Sequence, residues 1–200
     1  MDNLFVIIPA KPFAESKTRL SSILSGDERA RLSQGLLWRT VSLTLQIGQV
    51  VVISRDRTTR RLAKQAGAWS LVEAGATLNA AVQQALEWVI TRRGQAALIL
   101  PADLPWLDLA DLKQMLGLGQ NSPSVVIAPC RRTDGTNALL LHPPGLIDTH
   151  FGPDSFAEHQ RAARKVGLQP VIYRSPALAL DIDLPEDLVL WQRTPSPTVE

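Results

Sequence analysis

Two aspartates stand one residue apart near the end of the chain, in the stretch ALALDIDLPEDL at residues 177–188. Asp181 and Asp183 follow an apolar run and precede Pro185. Like charges this close repel and resist burial, so either water solvates them or a cation sits between them. If residues 178–183 form a strand, positions i and i+2 share a face. Both carboxylates then project together while Ile182 points into packing. A third acid, Asp103, follows the apolar run at 97–101 and is held between Pro101 and Pro105. Taken singly it also reads as a helix cap or a turn aspartate. Three converging carboxylates make a hard oxygen site suited to Mg2+, which takes carboxylates together with phosphate oxygens and water.

Other chemistry-bearing residues lie in similar places. Lys11, Lys17 and Arg19 sit in AKPFAESKTRL, directly after the first apolar run. Bases there can neutralise a polyphosphate and stabilise charge on a leaving group, although three bases in a loop are also an ordinary solvated surface. The glycine-rich phosphate loops GxGxxG and GxxxxGK[ST] do not occur. In AGATLNAAV, Asn79 can reach a ribose or a base edge, or simply start a helix. DGTNALLL reads as a hairpin turn leading into a strand, and FGPDSF as a helix start capped by Asp154 or Ser155. In the functional version, exposed amides at that start act with the Ser155 and Thr136 hydroxyls to hold a small phosphate or carboxylate. His142, His150 and His159 lack zinc spacing, and one cysteine cannot build a thiolate site.

These residues need a frame to bring them together. Short apolar runs alternate with longer segments of helical period. Strands are expected at 4–10, 49–54, 69–72, 97–101, 125–128, 137–141, 169–173 and 178–183. Helices are expected at 27–48, 57–65, 77–94, 109–116 and 155–166. Asp27 or Ser25 caps the first helix and Thr77 caps the third, with Gly48 and Gly94 as stops. Strands alternating with helices of this length form βαβ crossovers, giving an α/β fold with a mainly parallel sheet covered on both faces. Ligands in such open sheets bind beyond the carboxyl ends of the strands, which is where the acids and bases above fall. One domain over residues 1–192 is expected, with RTPSPTVE at 193–200 as a frayed, flexible tail.

The bulk properties narrow the class. Two hundred residues with 45% apolar content can bury a substantial core. A net charge of +2 with bases spread along the chain speaks against nucleic acid as partner; the densest cluster, SRDRTTRR at 54–61, reads as an exposed helix start. Cys130 is the only cysteine, so no internal disulfide can form and a reducing compartment is expected. The first apolar run has no basic leader and is cut short at Pro9, unlike a signal peptide. No apolar stretch is long enough to span a membrane. A cytoplasmic protein is the expectation.

PAKPFAESKTRL, LNAAV, PADLPWL, DGTNALLL, FGPDSF and LALDIDLPEDL, in this order and spacing, resemble the guanylyltransferases of deazaflavin-coenzyme biosynthesis. That family acts on 2-phospholactate, phosphoenolpyruvate or 3-phosphoglycerate, and the likeness runs from about residue 4 to residue 190. It implies a single-domain nucleotidyltransferase fold, glycosyltransferase A-like and Rossmann-like, with GTP as nucleotide donor and Mg2+ as cofactor. Carried over by motif, Asp103, Asp181 and Asp183 bind metal, and Lys11, Lys17 and Arg19 meet the triphosphate. Lys17, Asp103 and Asp183 carry the catalytic roles, with Asn79 on the nucleotide. Thr136, Gly152 and Ser155 hold the acceptor's phosphate and carboxylate. Trp106 replaces the more usual leucine after ADLP as a packing change, and His150 is the place to look for acceptor preference. Hand-off of a labile product to the next transferase is a further expectation. The alternatives are a metal-dependent glycosyltransferase using a nucleotide sugar and a non-catalytic nucleotide-binding domain.

Overall fold

A computed structural model describes residues 3–194. The chain enters through β1 (Leu4–Pro9), where Leu4, Phe5, Val6, Ile7 and Ile8 are all buried. Successive side chains of a strand point to opposite faces, so a continuous apolar run requires cover on both. Leu4, Val6 and Ile8 pack into one core layer and Phe5 and Ile7 into the other. The first layer is closed by α1 (Gly26–Thr44), α2 (Arg57–Gln65) and α4 (Leu109–Leu118), through residues such as Leu37, Val41, Ala63 and Leu112. The second is closed by α3 (Leu78–Thr91) and α5 (Ser155–Lys165), through Val82, Leu86, Val89 and Ala163.

The remaining strands are β2 (Gln49–Ser54), β3 (Trp69–Val72), β4 (Ala96–Ile99), β5 (Ser124–Pro129), β6 (Thr136–His142) and β7 (Val171–Ile172). All seven join one sheet in the order β3-β2-β1-β4-β6-β5-β7. Only β6 runs antiparallel, to both β4 and β5. The arrangement is the expected α/β nucleotidyltransferase fold of the glycosyltransferase A-like type. Capping chemistry sets the helix starts. Ser25, rather than Asp27, caps α1 in a reciprocal box with Glu28, and the Thr77 hydroxyl accepts from the Ala80 amide.

The C-terminal segment departs from expectation. Residues 178–183 are not a strand. Ser175 caps the amides of Ala177 and Leu178, and Pro176 occupies the first turn of a short helix, α6 (Pro176–Ala179). Leu180 and Ile182 are still buried, but against Trp106 and Ala177 in one case and Leu20, Leu36 and Leu188 in the other. Their run of apolar residues is satisfied by side-chain packing, with no ladder. Pro185 is likewise a helix start, opening α7 (Pro185–Arg193), so Arg193 belongs to a helix and not to a tail. The rest of the expected tail, 195–200, lies outside the described residues. Among the described residues, no helix is long and apolar enough to cross a membrane.

Candidate active site

The loop after β1 is anchored, not free. Ala10 donates its amide to the Ile53 carbonyl at 3.0 Å, and Phe13 and Leu20 bury their side chains in two successive 3-10 turns. Between those turns Lys17 adopts a left-handed backbone with φ of 56°. That conformation costs a residue with a Cβ about 1 kcal/mol or more, and it persists only where the surroundings impose it. Here it turns the side chain inward: Lys17 is 8% exposed, and its Nζ donates to Asp103 Oδ2. The basic loop therefore divides. Lys17 is buried against Asp103, Lys11 is exposed at the rim of a cavity, and Arg19 reaches Asp183 at 2.5 Å.

The two acid segments are fastened to each other. Ile182 donates its amide to the Asp103 carbonyl at 3.1 Å, which sets Asp181 beside Asp103. Burial pushes the Asp181 carboxyl above its ordinary range and the neighbouring Asp103 charge adds to it, while the Asn137 side-chain amide, 3.3 Å away, works in the opposite sense. Asp103 Oδ1 is buried and has no hydrogen-bond partner among the described residues. On the far side, Asp187 is 1% exposed and accepts from the amides of Asp183 and Leu184 at 3.2 and 2.8 Å. Its other oxygen takes Arg131 and Arg132 at 3.0 and 3.3 Å. Burial alone would raise the Asp187 carboxyl, but those amides and arginines outweigh it and hold the carboxyl below its usual range.

A cavity of about 560 Å3 opens beyond the ends of β1, β2 and β4, lined among others by Lys11, Lys17, Arg55, Glu73, Asp103 and Asp183. Asp181 is not in that lining. Among the described residues, no three His, Cys, Asp or Glu side chains are arranged as a metal-binding group. The expected convergence of Asp103, Asp181 and Asp183 on one point is thus incomplete. The i, i+2 argument assumed a strand that does not form, and two of the carboxylates are instead compensated by Lys17 and Arg19. Trp106 packs on Ala177 and Leu180, a packing role as expected.

A second cluster lies at the start of β6. Pairing slips between Ala128 and Pro129, so that Ala128 faces Ala138 and Pro129 faces Thr136. Asn137 is the extra residue of a β-bulge, which re-aims the side chains on either side of it. Asn137 turns to the acid segment and donates to the Leu178 and Ala179 carbonyls at 2.9 and 3.1 Å, while Thr136 turns to α5. The Thr136 amide donates to Ser155 Oγ at 2.9 Å, and the Thr136 hydroxyl lies 2.9 Å from His159 Nδ1. Gly152 stands at φ of 137°, a backbone that only glycine takes without strain.

Three expectations change here. The amides of Ser155 and Phe156 are not free, because the Gly152 and Asp134 carbonyls accept from them at 3.2 and 3.1 Å. Asp154, at φ of 56°, gives α5 no side-chain cap, and Ser155 is its first helical residue. Asn79 uses both ends of its amide on the backbone of Phe151, at 2.9 and 2.7 Å, which makes it a fastener of this loop with no place in the cavity lining. Sequence reasoning missed His159, Asp187 and Asn137. The i, i+4 spacing of Ser155 and His159 on one helix face, and the acid in the first turn of a proline-started helix, were the available signals.

With the geometry established, likeness to known proteins becomes informative. Residues 4–191 match the family described as guanylyl transferase CofC like. The chain belongs to this family. It is 37% identical over 188 residues to the phosphoenolpyruvate guanylyltransferase of Rubrobacter xylanophilus, spanning 93% of this chain and 92% of that protein. Identity to the 3-phospho-D-glycerate guanylyltransferase of Colwellia psychrerythraea is 34%, over 98% of this chain and 94% of that one. Identity to the 2-phospho-L-lactate guanylyltransferase of Methanocaldococcus jannaschii is 36%, over 92% and 80%. A solved Desulfovibrio desulfuricans protein, provisionally assigned as a nucleotide-diphospho-sugar transferase, superposes with a TM-score of 0.79 at 15% identity, over 96% of this chain and 87% of that one. That last likeness concerns the fold alone. This CofC-like chain is a nucleotidyltransferase.

Proposed function

We propose that the chain transfers GMP from GTP to a small phosphorylated three-carbon acid, releasing pyrophosphate, as a step in making a deazaflavin redox coenzyme. The acceptor is phosphoenolpyruvate, 3-phosphoglycerate or 2-phospholactate. The observation that carries the reading is the half-buried Lys17–Asp103 pair, set where the β1 and β4 ends meet, on a cavity shared with Lys11 and Asp183. Relatives with three different acceptors share guanylyl transfer in their names, which supports GTP as donor and leaves the acid open.

The chemistry follows from charge. An acceptor phosphate oxygen, already ionised at neutral pH, attacks the α-phosphorus of GTP; a new P–O bond forms, and the bond to the β-phosphate breaks. Pyrophosphate leaves with the electron pair, and no covalent enzyme intermediate is required. Lys11, Lys17 and Arg19 offset repulsion between the two anions and the charge building on the leaving group. Asp103, Asp181 and Asp183 would hold Mg2+. Asp103 Oδ1, buried with no hydrogen-bond partner among the described residues, is the atom that fits a cation; Asp183 would have to exchange Arg19 for the ion, and Asp181 would have to turn toward the cavity it does not line. Once bound, the ion would supply Lewis-acid stabilisation of phosphate charge. The Asp181 and Asp183 side chains are kept in place by Asn137 and by the Asp187 hold on the Asp183 amide. Thr136, Gly152 and Ser155 form the acceptor end.

The test offers each of the three acids with GTP, CTP or ATP in the presence of Mg2+, reading pyrophosphate and product mass. The expected result is pyrophosphate with GTP and at least one acid, matched by a guanylylated product. No transfer to any acid, or transfer from a nucleotide sugar instead, would overturn the reading.

A further inference from the structure

His159 is completely buried, at 0% exposure, on the inner face of α5. Both ring nitrogens are engaged. The His150 backbone amide, which can only donate, lies 2.9 Å from Nε2. Nε2 must therefore be the unprotonated nitrogen, and the ring proton sits on Nδ1. Nδ1–H then donates to Thr136 Oγ1 at 2.9 Å. The Phe151 ring meets the imidazole edge-on at 4.9 Å, and Phe151 is itself fastened by Asn79. The ring has one tautomer and one orientation available.

The consequence falls on the hydroxyls. Thr136 Oγ1 accepts from His159, and Ser155 Oγ accepts from the Thr136 amide. Among the described residues, neither hydroxyl hydrogen has an acceptor of its own. Each hydroxyl accepts one hydrogen bond from the protein and keeps its own O–H available to donate to a ligand oxygen. Such a pair matches a ligand group made of acceptor oxygens, a phosphate or a carboxylate. We propose that His159 is a positioning residue for the acceptor: its imidazole, locked by His150, commits the Thr136 hydroxyl to donate to the anionic group of the bound acid. The proposal rests on Thr136 and Ser155 being acceptor-binding groups. Burial pushes the His159 imidazole down to about 4, with the His150 charge adding to it, so the single-proton state holds at neutral pH.

Two conservative variants separate positioning from bulk support. His159→Asn keeps a donor near the Nδ1 position and loses the contact to His150; His159→Gln reaches the His150 amide and loses the donor to Thr136. Positioning predicts that His159→Gln raises the acceptor KM about fivefold to tenfold with the GTP KM unchanged. It also predicts that His159→Asn stays within about twofold of the parent for both, even at a lower Tm. In a Thr136→Val background, His159→Gln should add nothing further. If His159→Gln and His159→Asn change kcat and both KM values alike, or if their effects multiply with Thr136→Val, His159 is structural support only and the proposal fails. If Thr136→Val itself leaves the acceptor KM unchanged, the acceptor-site reading fails first. NMR of the imidazole nitrogens gives a readout apart from turnover. A proton on Nδ1 at neutral pH is expected, and a proton on Nε2 would contradict the proposal.

Discussion

The two clusters of the proposed site are built from opposite kinds of group. Beyond the β1 and β4 ends, formal charges face each other, Lys17 against Asp103 and Arg19 against Asp183; behind them, outside the cavity lining, Asp187 faces Arg131 and Arg132. At the start of β6, hydroxyls, a neutral imidazole and one glycine make up the cluster. Charge suits a polyphosphate whose negative charge shifts during reaction, because it acts over distance and tolerates small movements. Fixed hydroxyl donors suit a small acid that must be held in one orientation, because a hydrogen bond is lost when its angle is wrong. On the proposed reading, one end manages charge and the other manages direction.

Substitutions that mix the two devices should break the comparison, and the largest effect is expected at Lys17. Lys17→Met removes the cation proposed to meet the triphosphate and leaves Asp103 without its ion-pair partner. Turnover should fall by about 100-fold or more. Stability should drop by about 1–2 kcal/mol in denaturant unfolding, because a half-buried carboxylate loses its cation. A variant with parental turnover would show that the pair is architectural only.

Next comes Asp187, which fixes the Asp183 backbone without lining the cavity. Asp187→Ala should cost about 2–3 kcal/mol by stranding two amides. Its carboxyl is lowered in the folded state, so its contribution is complete above the unfolded value near about 4 and is lost as pH falls through the lowered folded value. Asp187→Asn should therefore flatten the acid limb of a stability-versus-pH curve. An unchanged acid limb would contradict the assigned cause.

Asp181 sharpens the comparison in the other direction. Its carboxyl is raised, mainly by burial and then by Asp103, so the folded state holds its proton more tightly than the unfolded chain does. That group's penalty is relieved as pH falls through the raised value and is fully present above it. Asp181→Asn should raise the Tm of metal-free protein at neutral pH while lowering Mg2+-dependent turnover. A lower Tm would mean that the Asn137 contact outweighs the repulsion. The smallest effect is expected from Arg55→Ala, since the exposed Arg55–Glu15 pair contributes about 0–1 kcal/mol.

Much of the frame was legible in the sequence because local rules dominate it. Gln49–Ser54, Arg57–Gln65 and Trp69–Val72 form as the apolar period and caps require. Residues 178–183 were misread because a buried apolar run can be met by a ladder or by side-chain packing, and periodicity does not separate the two. The Ser175–Pro176 helix start was the signal that would have. Lys11, Lys17 and Asp103 drew notice because they follow β1 and β4, and strand ends in open sheets collect functional groups; Asp183, singled out with them, follows no strand. The pairing was not legible, since Lys17 and Asp103 are 86 positions apart and a left-handed turn decides where Lys17 points. The role of Asn137 depends on a bulge, which leaves no pattern in spacing; for His159 the i, i+4 spacing to Ser155 marks a shared helix face, but not the tautomer that decides its role.

The most direct check on the strand-end carboxylates is pyrophosphate release from GTP and the preferred acid by Asp183→Asn, titrated with Mg2+ beside the parent protein. Among the described residues the Asp183 carboxylate pairs only with a largely exposed arginine, so its loss should leave the fold intact. Turnover about 100-fold lower at every Mg2+ concentration, with parental Tm and acceptor KM, is the expected result. An Asp183→Asn enzyme that saturates with Mg2+ and turns over like the parent would contradict the account.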